Sequence, residues 1–596
     1  MRDFFKSLFA SLVALVLFSG GGFLLFLLVM VALSPAEPTV PSKAVLVFDL
    51  GTPITDGEPD PSPSEVLTGA LQGGGTSSLT LRTVVDTLDR AAKDSKVSAL
   101  YLTGNVGASG YASGLPALKE VREAITRFKA SGKPVLAHNQ SWGKRDLYLA
   151  SAATRLSVAP LGMVDTTGLG TEPMFYAGAL KKLGVEVQVT RVGKYKSAVE
   201  PFILEKMSDA NREQTQKLLD DVWSEWKQVV AADRHQRPED LQALADTKGP
   251  LNPAEAVAAK LVDRVATVDE VLEELKKLAG KQATDREFPQ MELGEYARIP
   301  GGQNRGKHRI AVVTAEGEIV DGHGEGAQVG GDRLAEELRR LRMDKDIKAV
   351  VLRVNSPGGS ALASEVIQRE TRLLKQAGKP FVVSMGTVAA SGGYWISAYA
   401  DRIFAQPTTI TGSIGVFGML PNAQKLLGTL GVGVDRVQTS KLANLESISR
   451  PKSTEELARI QSVVDEIYEQ FLTKVSEGRK LPKDTVQEIA QGRVWSGREA
   501  LKLGLVDELG GLQEAVRHAA KLAKVESDFR IDGGGPEKSP VEKMLKAFSG
   551  DHKKRLVKAG PAMQLQTDLM RQLESLKALN DPRGVYARMP MELSFR

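Results

Sequence analysis

Met385-Gly386-Thr387-Val388-Ala389-Ala390-Ser391-Gly392-Gly393-Tyr394-Trp395, read together with Asn355-Ser356-Pro357-Gly358-Gly359 upstream of it, decides the fold. Each stretch is a glycine-punctuated turn directly after an apolar run, Ala349 to Val354 in one case and Phe381 to Met385 in the other. Two strand-to-helix junctions therefore sit close in sequence. Small residues let backbone amides approach a bound group, and a serine at the start of a helix feels the positive end of its dipole. That chemistry suits a nucleophile at Ser391 beside an oxyanion hole. A plain helix N-cap is the alternative reading of the same serine.

Around these junctions the chain alternates short apolar runs with helical segments, the pattern of βαβ units and an α/β fold. Arg309 to Thr314 reads as a strand, and Asp332 to Met343 as a helix with Leu334, Leu338 and Leu341 on one face. The same alternation occurs earlier. Ala44 to Leu50, Ala99 to Leu102 and Pro134 to Ala137 read as strands, with Leu81 to Ala92 and Ala117 to Phe128 as helices between them. The polar, glycine-rich stretch from Ile299 to Lys307 separates the two halves.

The halves are copies. Gly132-Lys133-Pro134-Val135 parallels Gly378-Lys379-Pro380-Phe381, Leu183-Gly184-Val185 parallels Leu430-Gly431-Val432, and Leu261-Val262-Asp263 parallels Leu505-Val506-Asp507. The shared order and a nearly constant separation of roughly 245 residues mark an internal duplication. The copies differ where chemistry is expected. In register, Ser391 faces Lys144, and Asn355-Ser356-Pro357-Gly358-Gly359 faces Asn105-Val106-Gly107-Ala108-Ser109. Conversely Lys196 faces Ala443, while Lys194 has a counterpart in Lys441. Complementary losses predict one composite site, with a serine from the second copy and a lysine from the first. On an extended segment Lys194 and Lys196 point to the same face, so both are candidates.

Composition narrows the chemistry. With 42% hydrophobic and 25% charged residues the chain is globular, and 596 residues exceed a single core. A net charge of +5, with no basic stripe interleaved with aromatics, argues against nucleic-acid binding. There is no cysteine, which excludes disulfides, thiol nucleophiles and Cys-ligated zinc. The six histidines form no close ligand pair, so neither a metal nor a cofactor is expected. A Ser-His-Asp triad needs one of those histidines to reach Ser391, and His138, just after a strand, is the one to consider.

Ser7 through Ala36 carries no charge, and Leu8 to Leu33 is almost wholly apolar, longer than the roughly 20 residues that cross a bilayer. It reads as an uncleaved membrane anchor; a signal peptide has an apolar region of about 7–15 residues and a small-residue cleavage site, which is missing here. Arg2 and Lys6 precede the span and Glu37 is the first charge after it, so the expectation is a cytoplasmic tip at 1–6, an anchor at 7–36 and the bulk outside. The expected domains are a first repeat over 43–298, a linker over 299–307, a second repeat over 308–530 and a tail over 531–596, partly disordered and given no role.

Five motifs carry a resemblance: Arg191-Val192-Gly193-Lys194-Tyr195-Lys196-Ser197-Ala198-Val199-Glu200-Pro201-Phe202, Asn355-Ser356-Pro357-Gly358-Gly359, Ala390-Ser391-Gly392-Gly393-Tyr394, Thr411-Gly412-Ser413-Ile414-Gly415 and Gly492-Arg493-Val494-Trp495-Ser496-Gly497. With them the chain resembles the bacterial signal peptide peptidase A family in its long, tandem-repeat form, within the superfamily that holds crotonases and Clp-type proteases. The resemblance implies a Ser/Lys dyad with Ser391 as nucleophile and Lys196 as general base. It implies that Ser413 orients the lysine and that Gly358 and Gly392 offer oxyanion-hole amides. It also implies a homotetramer in the bacterial inner membrane that cuts hydrophobic peptides, such as remnant signal peptides, on the extracytoplasmic side. A neutral lysine serves as base when apolar burial lowers its pKa. Two rivals remain at this point: a crotonase-type acyl-CoA hydratase or isomerase, and a non-catalytic membrane scaffold. Folds alone do not separate them.

Overall fold

The computed structural model describes residues 18, 21, 39–58, 78–107, 114–299, 306–533, 581 and 585–589. The expected anchor at 7–36 therefore lies, but for two residues, outside the described part, as does most of the linker. Among the described residues no helix is long and apolar enough to cross a membrane.

In the first repeat the strands are β1 (Ala44–Asp49), β2 (Val97–Thr103), β3 (Val135–Asn139) and β4 (Arg155–Val158), with helices α1 (Leu81–Lys93), α2 (Leu115–Ala130) and α3 (Lys144–Ala150) between them. After β5 (Glu186–Val192) comes the long helix α4 (Asp209–Asp233), then the short strands β6 (Arg264–Val265) and β7 (Gln290–Glu292). One parallel sheet forms in the order β6-β4-β3-β2-β1-β7. Helices cover it, and its central strands bury apolar side chains into two separate clusters, with Leu46, Leu100 and Val135 in one and Val45, Ala99 and Leu136 in the other. α1 shows why it forms: Leu81, Val84, Val85, Leu88 and Ala91 recur at helical spacing and are buried, and Thr80 caps the start by accepting from the Thr83 amide at 3.1 Å.

The second repeat repeats the plan. Its elements are β8 (His308–Glu316), β9 (Ile319–Val320), β10 (Val329–Gly330), α5 (Gly331–Met343), β11 (Ile347–Ser356), β12 (Gly358–Ser360), α6 (Ala361–Gln376), β13 (Phe381–Ala390), α7 (Gly392–Trp395), β14 (Arg402–Ala405), β15 (Ile410–Gly412), β16 (Val416–Asn422), α8 (Thr454–Arg479), β17 (Val494–Ser496), α9 (Leu512–Leu522) and β18 (Phe529–Asp532). Its main sheet runs β17-β15-β13-β11-β8-β18, with β14 also on β13. Leu334, Leu338 and Leu341 of α5 are buried as their spacing predicts.

A third sheet joins the repeats. β5 of the first lies antiparallel on β16 of the second, Val192 opposite Val416, and the order continues through β19 (Val585–Arg588) to β12, β9 and β10. Backbone pairing across the repeats thus brings the segment after β5 to the segment before β16, the two loops that carry Lys196 and Ser413.

Two expectations need correction. The run before Ser391 does not turn at Met385: β13 continues to Ala390, because the small residues Gly386, Ala389 and Ala390 fit a strand buried on both faces. The segment with Lys194 and Lys196 is not extended; β5 ends at Val192 and a turn follows, which sends the two lysines to different sides. The described part of the tail joins the fold: β18 runs past residue 530 and pairs with β8, and β19 is inserted between β12 and β16 with Val585, Tyr586, Ala587 and Met589 buried.

Candidate active site

Ser391 occupies the sharp junction between β13 and α7, at φ 55° and ψ −112°. Such a conformation is costly for a non-glycine residue, of order 1–3 kcal/mol, and is held only by its surroundings. Here the Ser391 amide donates to Gly412 O at 2.8 Å and its carbonyl accepts from the Trp395 amide at 2.8 Å. The side chain does not cap α7, so the plain N-cap reading fails. Instead Ser391 Oγ meets Lys196 Nζ at 2.8 Å, with both residues fully buried.

The lysine ammonium position is otherwise bounded by Ser413, whose carbonyl and hydroxyl oxygens lie 3.1 and 3.0 Å from Nζ. Among the described residues no carboxylate pairs with it, and burial holds its pKa well below the usual lysine range. The neutral amine is thereby favoured. Two glycines make room for the side chain: a Cβ at Gly492 would fall 2.7 Å from Lys196 Cβ and N, and one at Gly415 3.3 Å from Lys196 Cδ. Lys194 points elsewhere; it is exposed over the Tyr195 ring and lines a surface pocket of about 490 Å³ with Gln491, Arg493 and Trp495.

The loop that presents Lys196 is pinned by α4. Gln214 Nε2 donates to Tyr195 O at 3.0 Å and to Ser197 Oγ at 3.0 Å, while Ser197 Oγ donates to Asn211 Oδ1 at 2.9 Å. Glu200, buried beneath the loop, accepts from Asn211 Nδ2 at 3.0 Å and Ser208 Oγ at 2.6 Å. Sequence reasoning missed Asn211 and Gln214, and their only signal is a polar pair at helical spacing on an otherwise ordinary α4.

The two candidate oxyanion glycines converge. A Cβ at Gly358, where φ is +97°, would lie 2.6 Å from the Gly392 amide nitrogen, so only glycine permits this approach. The Gly358 amide itself donates to Ser356 Oγ at 3.1 Å, while Gly392 begins α7. His138 is not brought to this site: its Nδ1 is 3.0 Å from Ser157 Oγ on β4 of the other sheet. Among the described residues no group of three or more His, Asp or Glu is placed to hold a metal ion.

The first repeat's equivalent of the site is filled. Asp146, near the start of α3, accepts from the Val106 amide at 2.6 Å, from Asn105 Nδ2 at 2.6 Å and from the Gly143 amide at 2.9 Å.

Comparisons with known proteins identify the family. Residues 127–282 and 373–526 each match Peptidase family S49. Protease 4 of Salmonella typhi is 38% identical over 485 residues, covering 79% of this chain and 78% of that protein. Protease 4 of Haemophilus influenzae is 38% identical over 528 residues, covering 84% of each. A putative signal peptide peptidase SppA of Enterococcus faecium is 34% identical over 239 residues, covering 39% of this chain and 68% of that protein. The chain therefore belongs to peptidase family S49, carries that family's domain twice, and is a serine-type peptidase.

Proposed function

We propose that this peptidase works through a Ser/Lys dyad, with Ser391 as nucleophile and Lys196 as general base, and that it hydrolyses hydrophobic peptides such as remnant signal peptides. The observation that carries the reading is the 2.8 Å contact between the buried Lys196 Nζ and Ser391 Oγ. A neutral amine there accepts the hydroxyl proton as Ser391 attacks a peptide carbonyl. The oxyanion meets the amide of Gly392, and that of Gly358 once it exchanges its bond to Ser356; each such donor contributes about 2.7–4 kcal/mol. The protonated lysine then returns its proton to the leaving amine, and the same group activates the water that releases the acyl chain. Ser413 keeps Nζ aimed at Ser391 through both steps.

A peptide substrate is supported by β19. An extended strand lies between β12 and β16, antiparallel to both, with Ala587 opposite Gly359. We take this slot as the place where a substrate strand is held by main-chain bonds, in exchange for the chain's own Val585–Arg588. The apolar residues Val388, Ala390, Ile410 and Val494 that gather around Met589 favour hydrophobic side chains. The apolar stretch at 7–36 supports a single-pass anchor in the bacterial inner membrane with the catalytic part outside, and the family resemblance supports a homotetramer.

Turnover of a fluorogenic hydrophobic peptide by wild type, Ser391→Ala, Lys196→Ala and Lys194→Ala tests the dyad. Loss in the first two variants with activity kept in the third is expected. Equal activity in all four would remove both residues from the mechanism.

A further inference from the structure

Asp56 of the first repeat reaches beneath the turn of the second repeat that carries Gly358. Its side chain is fully buried. Oδ2 accepts from Asn355 Nδ2 at 2.6 Å and Oδ1 from Arg353 Nε at 2.7 Å. Asn355 in turn accepts through Oδ1 from the Val388 amide at 3.1 Å. We propose that Asp56 is a positioning residue for peptide hydrolysis, which fixes the oxyanion turn 356–359 by holding Asn355 as a clamp between that turn and the nucleophile strand β13.

The place of the clamp explains the need for it. β11 and β13 pair regularly to Val354 opposite Met385, then the register shifts and Ser356 lies opposite Ala389. The residues of β13 between them have no partners on β11. The Asn355 carboxamide fills that gap and supplies the Val388 amide with its acceptor, at the point where the two strands part to form the site. Gly386 is cut to fit, since a Cβ there would fall 2.9 Å from Asn355 Cγ and 3.0 Å from Asp56 Oδ2.

A carboxylate is the right group for this task. It accepts only, so it faces the NH2 end of Asn355 and leaves the carbonyl end for Val388. It is held in turn by Arg353, whose Nη1 donates to Ser384 Oγ at 2.8 Å and Met385 O at 3.3 Å on β13, and whose Nη2 pairs with Glu120 Oε1 at 2.9 Å. From β8, Glu316 Oε2 accepts from the amides of Asp56 at 3.0 Å and Gly57 at 2.9 Å, which fixes the backbone that delivers the carboxylate. Glu316 is itself pushed up to about 7 by burial and by the Asp56 charge. The first repeat thus gives the site a buried carboxylate as well as a lysine.

This inference rests on Ser391 being the nucleophile, and the test separates the two. The full-length protein in detergent is assayed for kcat and KM, and for inhibition by a hydrophobic peptide aldehyde and the matching peptide alcohol. Only the aldehyde forms a tetrahedral adduct whose oxygen enters the oxyanion hole. Asp56→Asn places an NH2 group against Arg353 or Asn355, and Asn355→Ala removes the clamp while leaving the Asp56–Arg353 pair. Both are expected to lower kcat and aldehyde affinity on the order of 10²-fold, with KM and alcohol affinity kept within about threefold. Glu120→Gln, which weakens the same ionic cluster without touching Asn355, is expected to lower Tm while the aldehyde-to-alcohol ratio stays at the wild-type value. An unchanged ratio in Asp56→Asn or Asn355→Ala, with Ser391→Ala inactive, overturns the clamp. Full activity in Ser391→Ala overturns the nucleophile assignment instead.

Discussion

Replacing Gly492 by alanine perturbs the proposed base, Lys196, without altering either residue of the proposed dyad. Gly492 has φ +74°, and its new Cβ would stand 2.7 Å from Lys196 Cβ and N and 2.9 Å from its Cα. Carbon atoms in contact need about 3.5–4.0 Å, so one backbone must retreat by roughly 1 Å. The obstacle is main chain, which no rotamer change relieves. A left-handed alanine costs about 1–2 kcal/mol and overpacking about 1–3 more. The retreat moves the lysine away from Ser391, to which it is joined at 2.8 Å. A displacement of about 1 Å at a catalytic contact lowers rate on the order of 10²-fold. The assay is kcat for a fluorogenic hydrophobic peptide beside a thermal melt, with Gly428→Ala as the control because nothing lies within 4 Å of a Cβ there. Wild-type kcat in Gly492→Ala would show that the lysine position does not matter, and the dyad would fall.

The remaining predictions concern charge and packing. Because only the neutral amine accepts a proton, activity should rise with pH through the depressed pKa of Lys196; a flat profile from about pH 6 to 9 speaks against that base. The same depression means that between the lowered pKa and about pH 10.4 the unfolded chain binds a proton the native state does not, so native stability from this group rises with pH across that window. Lys196→Met should therefore abolish turnover yet raise Tm near neutral pH, and a lowered Tm contradicts the burial account. Glu316 has the opposite sign: raised to about 7 from an unfolded value of about 4.3, it contributes stability that is complete below about pH 4.3 and lost as pH rises through 7. Glu316→Gln should remove that part of the slope in Tm measured from pH 4 to 8, and an unchanged slope assigns it to other groups. A chain ending at residue 580 lacks β19 and should show a lower KM for hydrophobic peptides if the substrate takes that slot; an unchanged KM places the substrate elsewhere. Leu338→Ala in the core should cost about 2–5 kcal/mol in denaturant melts, with kcat per folded molecule unaffected.

Local sequence determined a great deal here. Apolar runs such as Ala349 to Val354 become buried strands, and Leu334, Leu338 and Leu341 share a buried face, because burial periodicity is a property of adjacent residues. The complementary losses of the two copies, Lys144 opposite Ser391 and Ala443 opposite Lys196, pointed to a composite site, and the structure brings the Lys196 and Ser391 side chains within 2.8 Å across 195 positions of sequence. Which of Lys194 and Lys196 reaches Ser391 was only partly legible. It turns on where β5 stops, and that is set by its pairing with β16, a long-range event without local signal.

What only the tertiary structure decided has the same cause. The insertion of Val585–Arg588 beside Gly358 depends on unpaired edges at β12 and β16 that arise only once the sheets have formed. Asp56 reads as one more acid in a loop after β1, and its partners Arg353 and Asn355 lie 297 and 299 positions away. Sequence thus fixed which residues can be buried and which chemistry is on hand, since those depend on residue type and spacing. Which buried groups touch was settled by the register of strands from different repeats, since hydrogen bonds and charge act over a few ångströms of space whatever the distance along the chain.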